Sequence, residues 1–169
     1  MFIAHLPAGY LLLKALRPKK ERHFLLWAVG LFFSIAPDLD MFWFYLVSDR
    51  RIPHHQYITH HPWLWAALFG AGLLLSLVLR KPSWRIYLGV GFAAVMLHLV
   101  LDSIAGEIYW LEPFSDFPLN VVLVPARYGW WVWNFILHWT FSMEIAICLA
   151  AGLLLYRSRG KPRKTALLR

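Results

Sequence analysis

Cysteine and charge are both scarce in this 169-residue sequence. The only cysteine, Cys148, lies within an apolar run, so the chain has no disulfide framework and its redox compartment stays undetermined. Lys, Arg, Asp and Glu make up only 15% of the residues, whereas 60% are hydrophobic. The stretch 63–79 contains no charged residue at all. Apolar runs of this length are too uniform for the core of a soluble protein, which excludes an ordinary soluble domain.

Four apolar runs are long enough to be membrane helices. A span needs about 20 mostly apolar residues, within a range of roughly 17–25. The runs cover 24–47, which two aspartates interrupt, and 63–79, 86–101 and 130–156. A fifth segment, 2–16, is shorter, which leaves a shortened span, a re-entrant helix and an interfacial helix open. Because backbone exposed to lipid must satisfy its own hydrogen bonds, the sequence predicts an all-α, polytopic membrane bundle with four to five transmembrane helices.

The domain organisation is simple. The pattern predicts one membrane-embedded helical domain over 1–156 and a basic, disordered cytoplasmic tail over 157–169. No internal repeat is present in the sequence. The N-terminal run has neither a basic segment before it nor a convincing cleavage site, so we interpret it as retained rather than as a signal peptide.

The basic residues indicate how the chain crosses the membrane. A net charge of +8 would suggest nucleic acid as the partner of a soluble protein, but here the distribution indicates a topology. Of the 17 basic residues, 14 fall in alternate connections and in the tail: Lys14, Arg17, Lys19, Lys20, Arg22, Arg80, Lys81, Arg85, Arg157, Arg159, Lys161, Arg163, Lys164 and Arg169. By the positive-inside rule these segments are cytoplasmic. We therefore expect membrane lipids as partners and no nucleic acid.

This orientation gathers the polar residues near the extracytoplasmic face. Eight of the nine acidic residues fall in outer halves of helices or in outer loops, and Glu21 is the exception. An Asp at a helix centre costs roughly 2.5–3.5 kcal/mol on insertion scales, so such groups are kept where they pair, line a wet cavity or hold an ion. Histidine with carboxylate is also a ligand set for divalent metals. The sequence therefore predicts a metal site near the extracytoplasmic face.

Two aspartate motifs lie at the ends of apolar runs. His98 and Asp102 are four residues apart, so they project from one face of a helix. This spacing suits two ligands of one ion, or a ligand with the group that orients it, and a helix-stabilising hydrogen bond is the alternative. Asp38 and Asp40 follow Pro37, which should kink or break the helix. Although this pattern is common in turns and caps, we expect one carboxylate to bind metal and the other to orient a ligand or accept a proton.

The histidine loop is the most specific motif. Four histidines fall within eight residues, and His55 and His60 are separated by four others. His54 and His61 flank this pair, and we interpret them as bystanders. We interpret His138, which lies one helical turn from Asn134, as a structural histidine. An irregular segment with three prolines, 107–125, is expected to cover the site from outside.

These residues carry a resemblance to a known family. Over residues 5 to about 115, in matching order, the sequence resembles the YdjM-like, LexA-regulated bacterial inner-membrane family of metal-dependent hydrolases. The motifs are His5 with Gly9, Pro37-Asp38-Leu39-Asp40, His55-Gln56-Tyr57-Ile58-Thr59-His60, His98-Leu99-Val100-Leu101-Asp102 and Pro113-Phe114. Gln56 stands where the family often has Arg, which implies a different substrate if that Arg binds a phosphate or carboxylate.

The resemblance implies a site and a chemistry. The implied ligands of one or two divalent ions, with zinc expected, are His5, Asp38, His55, His60, His98 and Asp102. Asp40 is the candidate catalytic base or orienting residue. The expected protein is a multi-pass protein of the bacterial inner membrane that hydrolyses a lipid or lipid-linked phosphoester at the extracytoplasmic leaflet through metal-activated water, and an ester or amide bond stays open.

Two other functions remain open. The first is a metal-ion or proton translocator, which should have ionisable groups through the full membrane depth. The sequence has almost none in the cytoplasmic halves of the predicted helices, so a one-sided site is favoured. The second is a non-catalytic membrane subunit whose metal site is structural. The oligomeric state is not indicated by the sequence.

Overall fold

The computed structural model of the protein describes residues 1, 3–16, 23–48 and 53–159. Within these ranges the chain forms seven α-helices and no strand, which confirms the all-α prediction; an isolated bridge joins Ile108 and Leu119. The helices are α1 (His5–Leu16), α2 (His23–Phe33), α3 (Asp40–Leu46), α4 (Pro62–Val78), α5 (Trp84–Asp102), α6 (Trp131–Ile136) and α7 (Thr140–Arg159). The topology assignments at 17–22 and 50–51, and the tail from 160 onward, lie outside the described residues.

The described helices supply fewer membrane spans than the sequence predicts. By length and composition, α5 and the part of α7 over Thr140–Ser158 each qualify as a span. The pair Phe24–Phe33 and Pro37–Leu46 supplies a third if it is taken as one span, although it is bent by 59°. The prediction of four to five spans is wrong by this measure, because α1 has only 12 residues and α4, with 17, is at the lower limit of the range for a span. A full crossing takes about 20.

The bend lies where the sequence predicts it. α2 ends at Phe33, and a 3-10 turn over Pro37–Leu39 leads directly into α3. Proline has no backbone N–H and its ring clashes with the preceding helical turn, so α2 cannot continue through Pro37. The break places Asp38 in the turn and Asp40 at the first position of α3.

α5 is the central helix, and α1, α2 and α4 all pack against it. Val95 and Leu99 on α5 are fully buried in a core with Ala36, Trp65 and Ile108. Close approach of α1 depends on a small residue, because a Cβ added at Gly9 would lie 2.5 Å from the Cβ of Ser34. Small residues let helix backbones approach in this way. This contact brings α1 against the end of α2, and the first turn of α1 also lies beside the end of α5, where the His5 ring meets the His98 ring.

The outward surfaces of the bundle are strongly apolar. Phe24, Val78 and Tyr156, which lie on three different helices, are 85%, 77% and 78% exposed. Large exposed apolar patches are rare on soluble proteins. The surface therefore fits a lipid environment.

Candidate metal centre

The C-terminal turn of α5 forms the floor of the centre. His98 is 1% exposed and Asp102 is fully buried. The four-residue spacing places His98 Nε2 2.9 Å from Asp102 Oδ2. On the other side of the ring, His98 Nδ1–H donates to the carbonyl of Ser34 at 2.8 Å. Histidines that bind metal commonly donate their second N–H in this way, and the bond here directs Nε2 of His98 into the centre.

α1 adds His5 to the same floor. The His5 ring stacks on the His98 ring with 3.7 Å between centroids. Its Nε2 lies 3.0 Å from Asp102 Oδ1 and 3.9 Å from Asp38 Oδ2. The close packing of Gly9 against Ser34 is what allows this approach, since a larger residue would hold α1 away.

Asp38 enters from the break between α2 and α3. Its Oδ1 lies 3.6 Å from Nε2 of both His60 and His98. The Asp38 side chain is 31% exposed, unlike the fully buried Asp102. Asp38 is thus the carboxylate that contacts the buried His98 and is also partly exposed.

His60 is held in place by Asp40. The ring is fully buried, and Nδ1–H donates to Asp40 Oδ2 at 2.8 Å. The hydroxyl of Thr59 donates to the same carboxylate oxygen, and Trp65 Nε1–H donates to the Thr59 carbonyl at 2.7 Å. Of the two roles predicted for Asp40, this geometry favours orienting His60, because the oxygen that faces His60 and Thr59 is already committed to them.

A 3-10 turn over His54–Gln56 brings two further histidines to the open side. His55 Nε2 lies 3.8 Å from Asp102 Oδ2. Nitrogen atoms of His54, His55 and His60 all lie within 4.8 Å of one another. The sequence predicts a bystander role for His54, but the structure places it among the candidate ligands. Its position directly beside His55 in a tight turn is the feature that could have indicated this.

The candidate ligands therefore form two groups that lie next to each other. The helix-end group is His5, Asp38, His98 and Asp102, each with a ligand atom within 4.8 Å of the others. The loop group is His54, His55 and His60. His60 also lies 3.7 Å from Asp102, so the two groups adjoin. All six ligands that the sequence analysis identified are brought together in these two groups.

The donor atoms of these groups fit a metal. Four buried atoms, Nε2 of His55, His60 and His98 and Oδ2 of Asp102, make no hydrogen bond of good geometry, although His98 Nε2 and Asp102 Oδ2 lie 2.9 Å apart. Buried polar atoms are normally satisfied, so several orphaned atoms at one place require an explanation. Imidazole nitrogen with carboxylate oxygen is a ligand set that suits zinc. The residues are therefore compatible with one or two divalent ions.

The loop histidines differ in protonation. Burial lowers the pKa of His54 and holds the pKa of His55 well below its ordinary range. Burial also disfavours the charged form of His60, but interactions with Asp38 and Asp40 outweigh it and raise the pKa of His60 to about 9. Metal ligation requires neutral imidazole, so His54 and His55 are ready to bind and His60 would release its proton.

Other polar residues singled out in the sequence lie outside both groups. His61 pairs with Glu112, and its ring stacks on that of Tyr109. His138 Nδ1 is 2.9 Å from the hydroxyl of Thr140. Asn134 accepts hydrogen bonds from the backbone N–H groups of 127 and 128. These contacts fit the bystander role expected of His61 and the structural role expected of His138.

The N-terminal segment lies against the centre. The α-amino group of Met1 pairs with Asp102, and the Met1 carbonyl lies 3.2 Å from His5 Nε2. The backbone N–H of Ile3 donates to Glu144 on α7 at 2.6 Å. Glu144 thus fastens this segment to α7.

A cavity of about 630 Å³ opens onto both groups. Asp38, His54 and His55 form part of its wall. The remaining wall comes from the N-terminus, α3, the histidine loop, the segments on either side of 108–119 and α6, namely Met1, Met41, Phe44, Pro53, Gln56, Ala105, Gly106, Glu107, Asn120, Leu123, Val124, Trp131 and Phe135. Its volume falls within the range of about 300–1,000 Å³ that is typical of small-molecule sites.

Comparison with known proteins gives one match. The family described as YdjM inner membrane protein has a model that matches residues 1–163, nearly the whole chain. The chain therefore belongs to this family of inner membrane proteins. No curated protein and no solved structure matches it significantly.

Proposed function

We propose that this member of the YdjM inner membrane protein family is a metal-dependent hydrolase. The observation that carries the proposal is the convergence of buried, unsatisfied Nε2 and Oδ2 atoms from α5 and the histidine loop, beside Asp38 and His5 of α1. These atoms belong to segments that are distant in the sequence, and a divalent ion would satisfy them together. Zinc is the ion we expect, because imidazole nitrogens predominate.

The bound metal would polarise the scissile group of the substrate and lower the pKa of a bound water molecule. The residues of the chain have separable tasks around it. His98 and His5 are fixed by Ser34 and by ring stacking, so they hold their nitrogens in place. Asp40 keeps Nδ1 of His60 occupied and leaves Nε2 for the centre.

Asp38 is the residue that faces a substrate. It contacts the helix-end histidines and also lines the cavity. A substrate in the cavity would therefore meet Asp38, His54 and His55 first. We propose a lipid or lipid-linked phosphoester as the substrate, because adjacent metal sites suit phosphoryl chemistry and because the bundle surface is apolar.

The proposal includes the side of the membrane. If the connections rich in Lys and Arg are cytoplasmic, the C-terminal end of α5 and the histidine loop face the extracytoplasmic leaflet. The only Lys or Arg on α5 is Arg85, which lies near the end opposite Asp102. This one-sided arrangement favours a site at headgroup depth over an ion path through the bundle.

The test combines metal analysis with a substrate panel. Full-length protein purified in detergent is assayed for bound metals by mass spectrometry and for release of phosphate, phosphoalcohol or fatty acid from bacterial lipids. We expect one or two zinc ions per chain, and loss of both metal and activity in His98→Ala and His60→Ala. His138→Ala is the matched control and should change neither. An active, metal-free His98→Ala protein would refute the proposal.

A further inference from the structure

Polar and apolar side chains both line the cavity beside the centre. Asp38, His54, His55 and Gln56 contribute polar groups. Large apolar side chains come from α3, α6 and the segment before α6, namely Met41, Phe44, Leu123, Val124, Trp131 and Phe135. A ligand that matches both kinds of lining is an amphiphile with its polar part toward the histidines.

The cavity volume sets the size of the apolar part. A water molecule takes about 30 Å³ in the liquid, and a methylene group is of similar size, so 630 Å³ has room for about 20 such groups. This is enough for one long hydrocarbon chain.

The surroundings of the cavity point to the bilayer as the source of that chain. The helices that line it, α3 and α6, present exposed apolar residues on their outer surfaces. Phe42 and Leu46 on α3 are 67% and 77% exposed, and Trp133 on α6 is 45% exposed. The described outer surfaces of both helices therefore offer apolar contact to a hydrocarbon chain of the bilayer beside the cavity.

The charged residues that line the cavity restrict which polar group the ligand can have. Among the described residues that line the cavity, Asp38 and Glu107 are carboxylates and none is Lys or Arg. Gln56 also lines the cavity, and its uncharged side-chain amide donates from Nε2 to the hydroxyl of Tyr109 at 3.5 Å. The α-amino group of Met1 is cationic, but it already pairs with Asp102, so an anionic group would find free cationic partners only at a metal-loaded centre.

We propose that this cavity binds a single hydrocarbon chain of a lipid and places the polar group of that lipid against Asp38, His54 and His55. The polar end of this inference rests on the proposed function, whereas the chain site rests on the shape and composition of the cavity. The two can therefore be tested apart.

The test uses a photoreactive single-chain lipid as the probe. Full-length protein in detergent is irradiated with a lysophosphatidylcholine that has a 16-carbon chain and a diazirine near the methyl end, and adducts are mapped by peptide mass spectrometry. We expect adducts on 41–44 and 123–135 that excess unlabelled lipid removes. Adducts spread over the outer surfaces of α5 and α7, insensitive to competition, would overturn the proposal.

Two matched substitutions sharpen the result. Val124→Trp fills the cavity from its wall and should remove most of the competable adduct, whereas Val121→Trp on the same segment, at a position 67% exposed and outside the cavity wall, should leave it unchanged. Leu123→Trp is a second cavity variant at a tolerant position, because Leu123 is 78% exposed. Unchanged labelling in both cavity variants, with bound metal retained, would overturn the chain site.

The outcome separates the chain site from the hydrolase. His98→Ala should keep the competable labelling even though it loses metal, because His98 does not line the cavity. Labelling at the cavity without any hydrolysis supports the chain site and counts against the proposed function. Hydrolysis of lipids by a protein that shows no competable labelling at the cavity overturns the chain site and leaves the hydrolase intact.

Discussion

The helix-end group and the loop group hold their side chains by different means. In the helix-end group, His98 and Asp102 are placed by one turn of α5, and the Ser34 carbonyl and the His5 ring fix the His98 ring. In the loop group, two short 3-10 turns carry His54, His55 and His60. Sites built on helices are more rigid than sites on loops. The helix-end group should therefore hold an ion more firmly than the loop group.

The two groups also differ in access. Side chains of the helix-end group are almost fully buried except for Asp38, whereas His55 is 15% exposed and lines the cavity with His54. The loop group is therefore closer to an entering substrate. We therefore expect the helix-end group to bind an ion firmly and the loop group to bind an ion that contacts the substrate. Substitutions can test this division.

Asp102→Asn should have the most severe effect. Asp102 lies within 3.0 Å of His5 and His98 and within 3.8 Å of His55 and His60, so it serves both groups. Removal of its charge leaves the buried histidines without their common anion, and we expect loss of both ions. Metal analysis of the purified variant checks this. Asp116→Asn, in an exposed segment, is the matched control, and full metal content in Asp102→Asn would contradict a shared carboxylate.

His54→Ala should remove only one ion. If the loop group is a separate site, loss of His54 weakens it and leaves the helix-end group intact, so bound metal should fall from two ions per chain to one. His61→Ala changes the neighbouring histidine that pairs with Glu112, and it should keep both ions. Equal metal content in the two variants would return His54 to the bystander role that the sequence suggested.

Local spacing made part of this centre predictable. The four-residue interval of His98 and Asp102 fixes both on one face of α5 whatever else the chain does. Pro37 likewise determines a break, and the structure has a 59° bend there. Such features depend on a few neighbouring residues, so the sequence alone predicts them.

Features that depend on packing were not predictable in the same way. The assignment of His54 depends on how a loop folds against α5, and the choice between the two roles predicted for Asp40 depends on its contact with Nδ1 of His60. The number of spans was overestimated for a related reason. Hydropathy shows where a run is apolar, but α1 and α4 form helices of 12 and 17 residues that are short for a crossing.

Gly106→Ala tests the loop group without removal of a ligand. A Cβ at Gly106 would lie 2.4 Å from Cε1 of His55 and 2.5 Å from its Nδ1, so the ring must move. A misplacement of about 1 Å can cost about 100-fold in activity. We expect a decrease of up to that size, with the ion of the helix-end group retained.

Gly129→Ala is the control for this substitution, because a Cβ there meets no atom within 4 Å. Lipid hydrolysis and metal content are measured for both variants. If Gly106→Ala keeps full activity, His55 is not needed at its present position, and the role of the loop group on the substrate side is contradicted.

Thr59→Val should give the smallest effect, because Thr59 acts on the loop group only through Asp40 and His60. The substitution keeps the shape of the side chain and removes the hydroxyl that donates to Asp40 Oδ2. A hydrogen bond to a charged group contributes about 1.5–3 kcal/mol, and only part of this should reach the metal, so we expect zinc affinity to fall by less than about tenfold. Competition with a chelator of known affinity measures it. Thr140→Val is the control, because it disturbs the contact with His138 instead and should leave zinc affinity unchanged. An equal loss of zinc affinity in both variants would mean that the decrease reflects general destabilisation rather than the support that Asp40 gives to His60.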